Sequence, residues 1–178
     1  VSPVAVVVGP PGAGKTTIGE GLAAALGVGF RDTDADVEAG AGKPITDIFT
    51  QDGEPVFRAA EAAAVATALV EHDGVLALGG GAILADATRA LLVGHTVVFL
   101  NVGMAEGVRR SGLSAARPLL AGVNPRATFK LLLDQRLPLY REVATLEVPT
   151  DDGTPEDIIA NLVAALGART GTTPEGEQ

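Results

Sequence analysis

Gly9-Pro10-Pro11-Gly12-Ala13-Gly14-Lys15-Thr16 decides the fold, standing directly after the apolar run Val4-Ala5-Val6-Val7-Val8. The octet matches G-x-x-x-x-G-K-[ST] at every specified position. It lies between a buried-strand signal and an Ala/Leu-rich helical pattern from Thr17 to Leu26. Glycines let the backbone curl so that successive N–H groups face inward onto phosphate oxygens, with a helix N-terminus behind them. In such a loop Lys15 reaches the β- and γ-phosphates and the Thr16 hydroxyl is set for Mg²⁺. A strand–turn–helix with glycines for the turn alone accounts for Gly9 and Gly14. It gives no reason for a lysine and a threonine in that order at a helix start.

Outward from the loop, strand-like apolar runs recur at 4–8, about 28–32, 75–79, 96–101 and about 144–149. Helical patterns fill the gaps at about 16–26, 34–40, 55–71, 86–93, 104–111, 126–141 and 156–168. Strands alternating with helices predict βαβ crossovers. The expected fold is α/β, a five-stranded parallel sheet with helices on both faces, in three layers. Ligands of such sheets sit at the carboxyl ends of the strands. The chemistry-bearing residues fall there: the phosphate loop after the first strand, Asp32-Thr33-Asp34 after the second, Gly79-Gly80-Gly81 after the third. Thr154-Pro155-Glu156-Asp157 is legible as a helix start, with a threonine cap and proline at the first helical position.

The 178 residues are 47% hydrophobic, enough for one sizeable core, and the apolar runs are too short to span a membrane. Zero cysteines exclude a disulfide framework and thiolate chemistry. No basic segment leading into an apolar one opens the chain, so the expectation is a cytoplasmic enzyme without a signal peptide. A net charge of −9 argues against nucleic acid as a partner. With three lysines and ten arginines in all, each cation beside a motif carries weight. His72 and His95 have no metal-spaced partner and are read as structural. A single domain over 1–170, a polar tail at 171–178 and a monomeric state complete the expectation.

The phosphate loop alone leaves the reaction open. No N-K-x-D guanine reader is present, and the free acids follow the second strand, at Asp32 and Asp34. That pattern points to a small-molecule kinase whose acceptor lies near those carboxylates. Phe57-Arg58-Ala59-Ala60-Glu61 sets Arg58 and Glu61 at i, i+3, so that the acid can hold the guanidinium for a carboxylate ligand. An ordinary solvated helix salt bridge would have the same spacing. Three successive glycines at 79–81 offer a ligand close approach to the backbone, or simply turn the chain. Arg136 falls on a late helix. Arg117-Pro118-Leu119-Leu120 sits within 112–125, whose Gly, Ser, Ala and Pro content suits a lid.

Together, GPPGAGKT at 9–16, DTD at 32–34, FRAAE at 57–61, GGG at 79–81, RPLL at 117–120 and RLPLYRE at 136–142 closely resemble the shikimate kinase family, over about residues 4–160. The resemblance implies transfer of the γ-phosphate of ATP to the 3-hydroxyl of shikimate, a step of aromatic amino acid biosynthesis. It implies nucleotide contacts from Gly12, Ala13, Gly14, Lys15, Thr16 and Thr17, and Mg²⁺ held by Thr16 and Asp32. Asp34 would hydrogen-bond the acceptor hydroxyl, either orienting it or taking its proton. Arg58 and Arg136 would clamp the carboxylate, and Gly79, Gly80 and Gly81 would face the ring substituents. Arg117 would swing in with the lid, and Arg110 with Pro155 would flank adenine. Phe49 and Phe57 would wall the acceptor pocket, or equally serve core packing. Two other readings stay open at this point: a gluconate or other sugar-acid kinase of the same fold, and a nucleotide-binding regulatory module without turnover.

Overall fold

A computed structural model describes residues 1–103, 106, 109 and 125–170. Arg110, Arg117, nearly all of the expected lid and the tail lie outside these residues, as does most of the helix expected at 104–111. The five strands are β1 (Ala5–Val8), β2 (Phe30–Asp32), β3 (Val75–Ala77), β4 (Val97–Asn101) and β5 (Leu146–Pro149). They pair in the order β2-β3-β1-β4-β5, every pair parallel. The expected five-stranded parallel sheet is therefore what forms. β1 is central and wholly buried, which is why it reads as an unbroken apolar run rather than an alternating one.

Side-chain alternation along β1 divides the core in two. Ala5 and Val7 join Ile18, Leu22, Val98, Ile158 and Leu162 on one face. There α1 (Lys15–Leu26) packs against the last helix, Pro155–Thr170. Val6 and Val8 join Val65, Leu69, Leu76, Phe99 and Tyr140 on the other face. That side is covered by α4 (Glu54–Glu71), α5 (Asp86–Leu92) and α6 (Pro125–Val143); the closing helix is then α7. Its predicted start holds, since Thr154 Oγ1 accepts from the Asp157 N–H at 3.2 Å.

A third, smaller cluster was not foreseen as an element. Between α2 (Thr33–Ala41) and α4 the chain forms α3 (Ile45–Gln51), and Ile48 packs with Val37 and Phe57. Phe49 lies against Phe57 with ring centroids 4.8 Å apart, and the Arg58 guanidinium stands 5.2 Å from the Phe57 ring centre. A 3₁₀ turn at Ala82–Leu84 follows the triple glycine and was likewise not anticipated.

Candidate active site

The phosphate loop owes its shape to its glycines. Gly12 and Gly14 adopt φ of 78° and 88°, left-handed backbone that side chains disfavour, and Gly14 hands the chain to α1. Lys15, first in the helix, folds its ammonium back over the loop and donates to the carbonyls of Gly9 and Pro10 at 2.9 and 3.1 Å. A cation is thus held in the concavity where phosphate oxygens would gather. Gly12, Gly14, Lys15, Thr16, Thr17, Asp32, Asp34 and Leu78 line one cleft of about 350 Å³.

Asp32 ends β2 and caps α2: its Oδ1 accepts from the Asp34 N–H at 2.9 Å. This cap turns the chain so that Asp32 and Asp34 both face the cleft while Thr33, between them, is buried. The DTD spelling has a local reason. Both acids lie at a helix N-terminus, where the backbone dipole favours their charge.

Gly79-Gly80-Gly81 is where the second half of the site closes up. A Cβ on Gly79 would stand 2.6 Å from Asp34 Oδ1 and 2.7 Å from Glu61 Oε2. On Gly80 it would lie 3.5 Å from Arg136 Nη1, and on Gly81 it would collide with the Arg58 guanidinium, 2.7 Å from Cζ. The segment passes so near the charged groups that no side chain fits at Gly79 or Gly81 without displacing one. A turn alone makes no such demand. Asp34, Glu61, Arg58 and Arg136 therefore converge on one short piece of backbone beside the phosphate loop.

The pair Arg58–Glu61 is not a solvated bridge. Arg58 Nη1 donates to Glu61 Oε1 at 2.8 Å, and Glu61 is only 3% exposed. Burial pushes the Glu61 carboxyl above the usual glutamate range, while the Arg58 guanidinium pulls it back. Glu54, one turn earlier, adds a longer contact to Arg58 Nε at 3.4 Å. Arg136 is also 3% exposed, a buried cation whose charge is answered partly by Glu61. Two guanidiniums, Arg58 and Arg136, against one glycine segment suit a carboxylate ligand.

A second cleft of about 230 Å³ adjoins the loop, lined by Ala13, Gly14, Thr17, Ile18, Thr150, Gly153, Pro155 and Ile158. It shares Gly14 and Thr17 with the first. Pro155 thus lines a cleft that adjoins the phosphate loop. One participant escaped the sequence reading. Tyr140 is fully buried and its hydroxyl donates to the Gly80 carbonyl. The available signal was its position four residues after Arg136, on the same helix face.

The family model described as shikimate kinase matches residues 11–167. A shikimate kinase of Saccharopolyspora erythraea is 68% identical over 168 residues, covering 94% of this chain and 96% of the relative. One from Salinispora arenicola is 62% identical, covering 94% of this chain and all of the relative. Among solved structures, the shikimate kinase from Acinetobacter baumannii in complex with shikimate superposes with a TM-score of 0.91 at 35% identity, over 97% of this chain and 96% of that one. The family match runs from the phosphate loop into α7: the chain belongs to the shikimate kinase family.

Proposed function

We propose that this shikimate kinase moves the γ-phosphoryl group of ATP to the 3-hydroxyl of shikimate with the two halves of the site just described. The observation that carries the reading is the triple glycine. It brings Asp34, Glu61, Arg58 and Arg136 to one segment, within reach of a phosphate loop on the neighbouring strand. Lys15 exchanges its loop carbonyls for nucleotide phosphates. The N–H groups of Gly12, Ala13, Gly14, Thr16 and Thr17 receive the remaining oxygens, and Pro155 covers the base.

Arg58 and Arg136 take the carboxylate of shikimate, and Gly79, Gly80 and Gly81 meet the ring hydroxyls. Asp34 then faces the acceptor hydroxyl at the cleft, orienting it or accepting its proton. Catalysis of this kind is positioning plus charge stabilisation, with little covalent work for the protein. Arg117 and Arg110 extend the reading: the first neutralises the transferring group as 112–125 closes, and the second flanks adenine opposite Pro155.

The donor set fits Mg²⁺. The Thr16 hydroxyl and Asp32 carboxylate are hard oxygen donors lining the same cleft as Lys15. Bound there with the nucleotide, the ion supplies charge neutralisation at the phosphate oxygens. A single catalytic domain over 1–170, acting as a monomer in the cytoplasm, completes the proposal. Among the described residues no helix is long and apolar enough to cross a membrane.

ADP release from Mg²⁺–ATP, with shikimate, with gluconate and with neither, tests the acceptor. Release that depends on shikimate is expected. Turnover with gluconate in its place would move the acceptor to the sugar-acid kinases, and ATP binding without release on any acceptor would favour a regulatory module.

A further inference from the structure

Tyr140 is the chain's single tyrosine, and it is 0% exposed. Its ring stacks on Phe99 of β4, centroids 4.9 Å apart and planes 17° from parallel. A buried phenol must find partners for its oxygen. Tyr140 finds one in the glycine segment: its hydroxyl donates to the Gly80 carbonyl, 60 residues away in sequence. Burial pushes the phenol up to about 12 against the pull of Arg136, so the group stays a neutral O–H at any working pH.

For packing alone a phenylalanine would serve, since the ring and its stack need no oxygen. The oxygen instead ties α6 to the glycine segment at Gly80, where a Cβ would lie 3.5 Å from Arg136 Nη1. A buried guanidinium with five donors can settle in several ways unless its neighbours fix one of them. By holding the Gly80 carbonyl, the hydroxyl fixes the backbone against which Arg136 lies.

We propose that the Tyr140 hydroxyl is a positioning group of the acceptor site, holding the Gly80 backbone, and through it the Arg136 guanidinium beside it, in the register that receives shikimate. The proposal rests on the reading of Arg136 as part of the carboxylate clamp. Phe99 completes the device by fixing the ring, and β4 anchors Phe99 in the core.

Tyr140→Phe removes one oxygen and keeps the ring. It is expected to raise the KM for shikimate about tenfold, with the KM for ATP and the kcat at saturating shikimate within about twofold of the parent. A purely structural role would lower the melting temperature and move both KM values together, and that result overturns the proposal. Arg136→Lys is measured beside it. If Arg136→Lys raises the shikimate KM while Tyr140→Phe leaves it unchanged, the positioning role fails and the clamp stands. If neither changes it, the clamp reading itself fails and the proposal falls with it.

A second measurement needs no variant. With one tyrosine in the chain, protein grown on 3-fluorotyrosine carries a single fluorine, at residue 140. Saturating shikimate should shift its ¹⁹F resonance, and an analogue lacking the carboxylate should shift it less. A resonance indifferent to shikimate would overturn the inference.

Discussion

Burial raises the Glu61 carboxyl above the ordinary glutamate range, and the Arg58 guanidinium 2.8 Å away only partly reverses the effect. Two pH dependences follow, with opposite signs. In the site, falling pH protonates Glu61 and weakens its hold on Arg58, so kcat/KM for shikimate should fall on the acid side. The apparent pKa of that limb should lie above the usual glutamate value. Glu61→Gln should be impaired at every pH and lack the limb, which a pH–rate series would show. In folding, a raised native pKa means that the native state binds the proton more tightly. The stability Glu61 contributes is complete below its unfolded pKa and is lost as pH rises through the native one. Urea titrations across that window should show parent stability declining relative to Glu61→Gln. The other carboxylate has a kinetic signature. Asp34→Asn keeps the shape of the side chain and should lower kcat about 10²- to 10⁴-fold, the range for a positioned acid–base group, with shikimate binding within a few-fold. A near-normal kcat would remove Asp34 from the chemistry in either role.

Elements decide how tightly the site tolerates change, and the loop from β3 into the 3₁₀ turn tolerates least. Gly81 has φ of −101°, a conformation open to alanine, so Gly81→Ala adds a methyl group without backbone strain. The methyl would meet the Arg58 guanidinium, the flexible end of a side chain. The expected result is a folded enzyme with its melting temperature nearly unchanged, a shikimate KM raised at least about tenfold, and an ordinary KM for ATP. Equal losses for both substrates would mean that this loop does not divide acceptor from nucleotide. The same scale shows what was legible in the sequence. β1, β3 and β4 announced themselves because buried parallel strands are unbroken apolar runs, whereas the edge strands β2 and β5 are only partly buried and carry Arg31 and Glu147. The phosphate loop, the DTD pair and the triple glycine were readable because each follows a strand end. α3 was not, because it is a seven-residue helix whose apolar positions, Ile45, Ile48 and Phe49, amount to under two turns of pattern. Tyr140 escaped as a site residue for a different reason. Its partner Gly80 comes from a distant strand end, and no local periodicity carries a contact of that range.

Across the whole molecule, the sheet separates the work of folding from the work of binding. Every strand runs the same way, so the phosphate loop, the two aspartates and the triple glycine all lie at one edge, while the two cores occupy the faces. Leu162 is a clean probe of that separation. It is 1% exposed in the core cluster that includes Ile18 and Leu22 of α1. Truncation to alanine removes buried methyl groups and leaves a cavity, at a cost of about 2–5 kcal/mol in comparable cores. Single domains rarely hold more than about 5–15 kcal/mol in total, so the loss should appear plainly in the urea midpoint. Catalysis gives the sharper reading. α1 begins in the phosphate loop, so any shift of that helix against α7 would be felt first at the nucleotide. We expect Leu162→Ala, assayed well below its melting temperature, to keep kcat and the shikimate KM within about twofold, with any rise confined to the KM for ATP. A shikimate KM that rose as far as the ATP one would show that the two faces of the sheet are mechanically coupled, and that the acceptor half is not held independently by α4, α6 and β3.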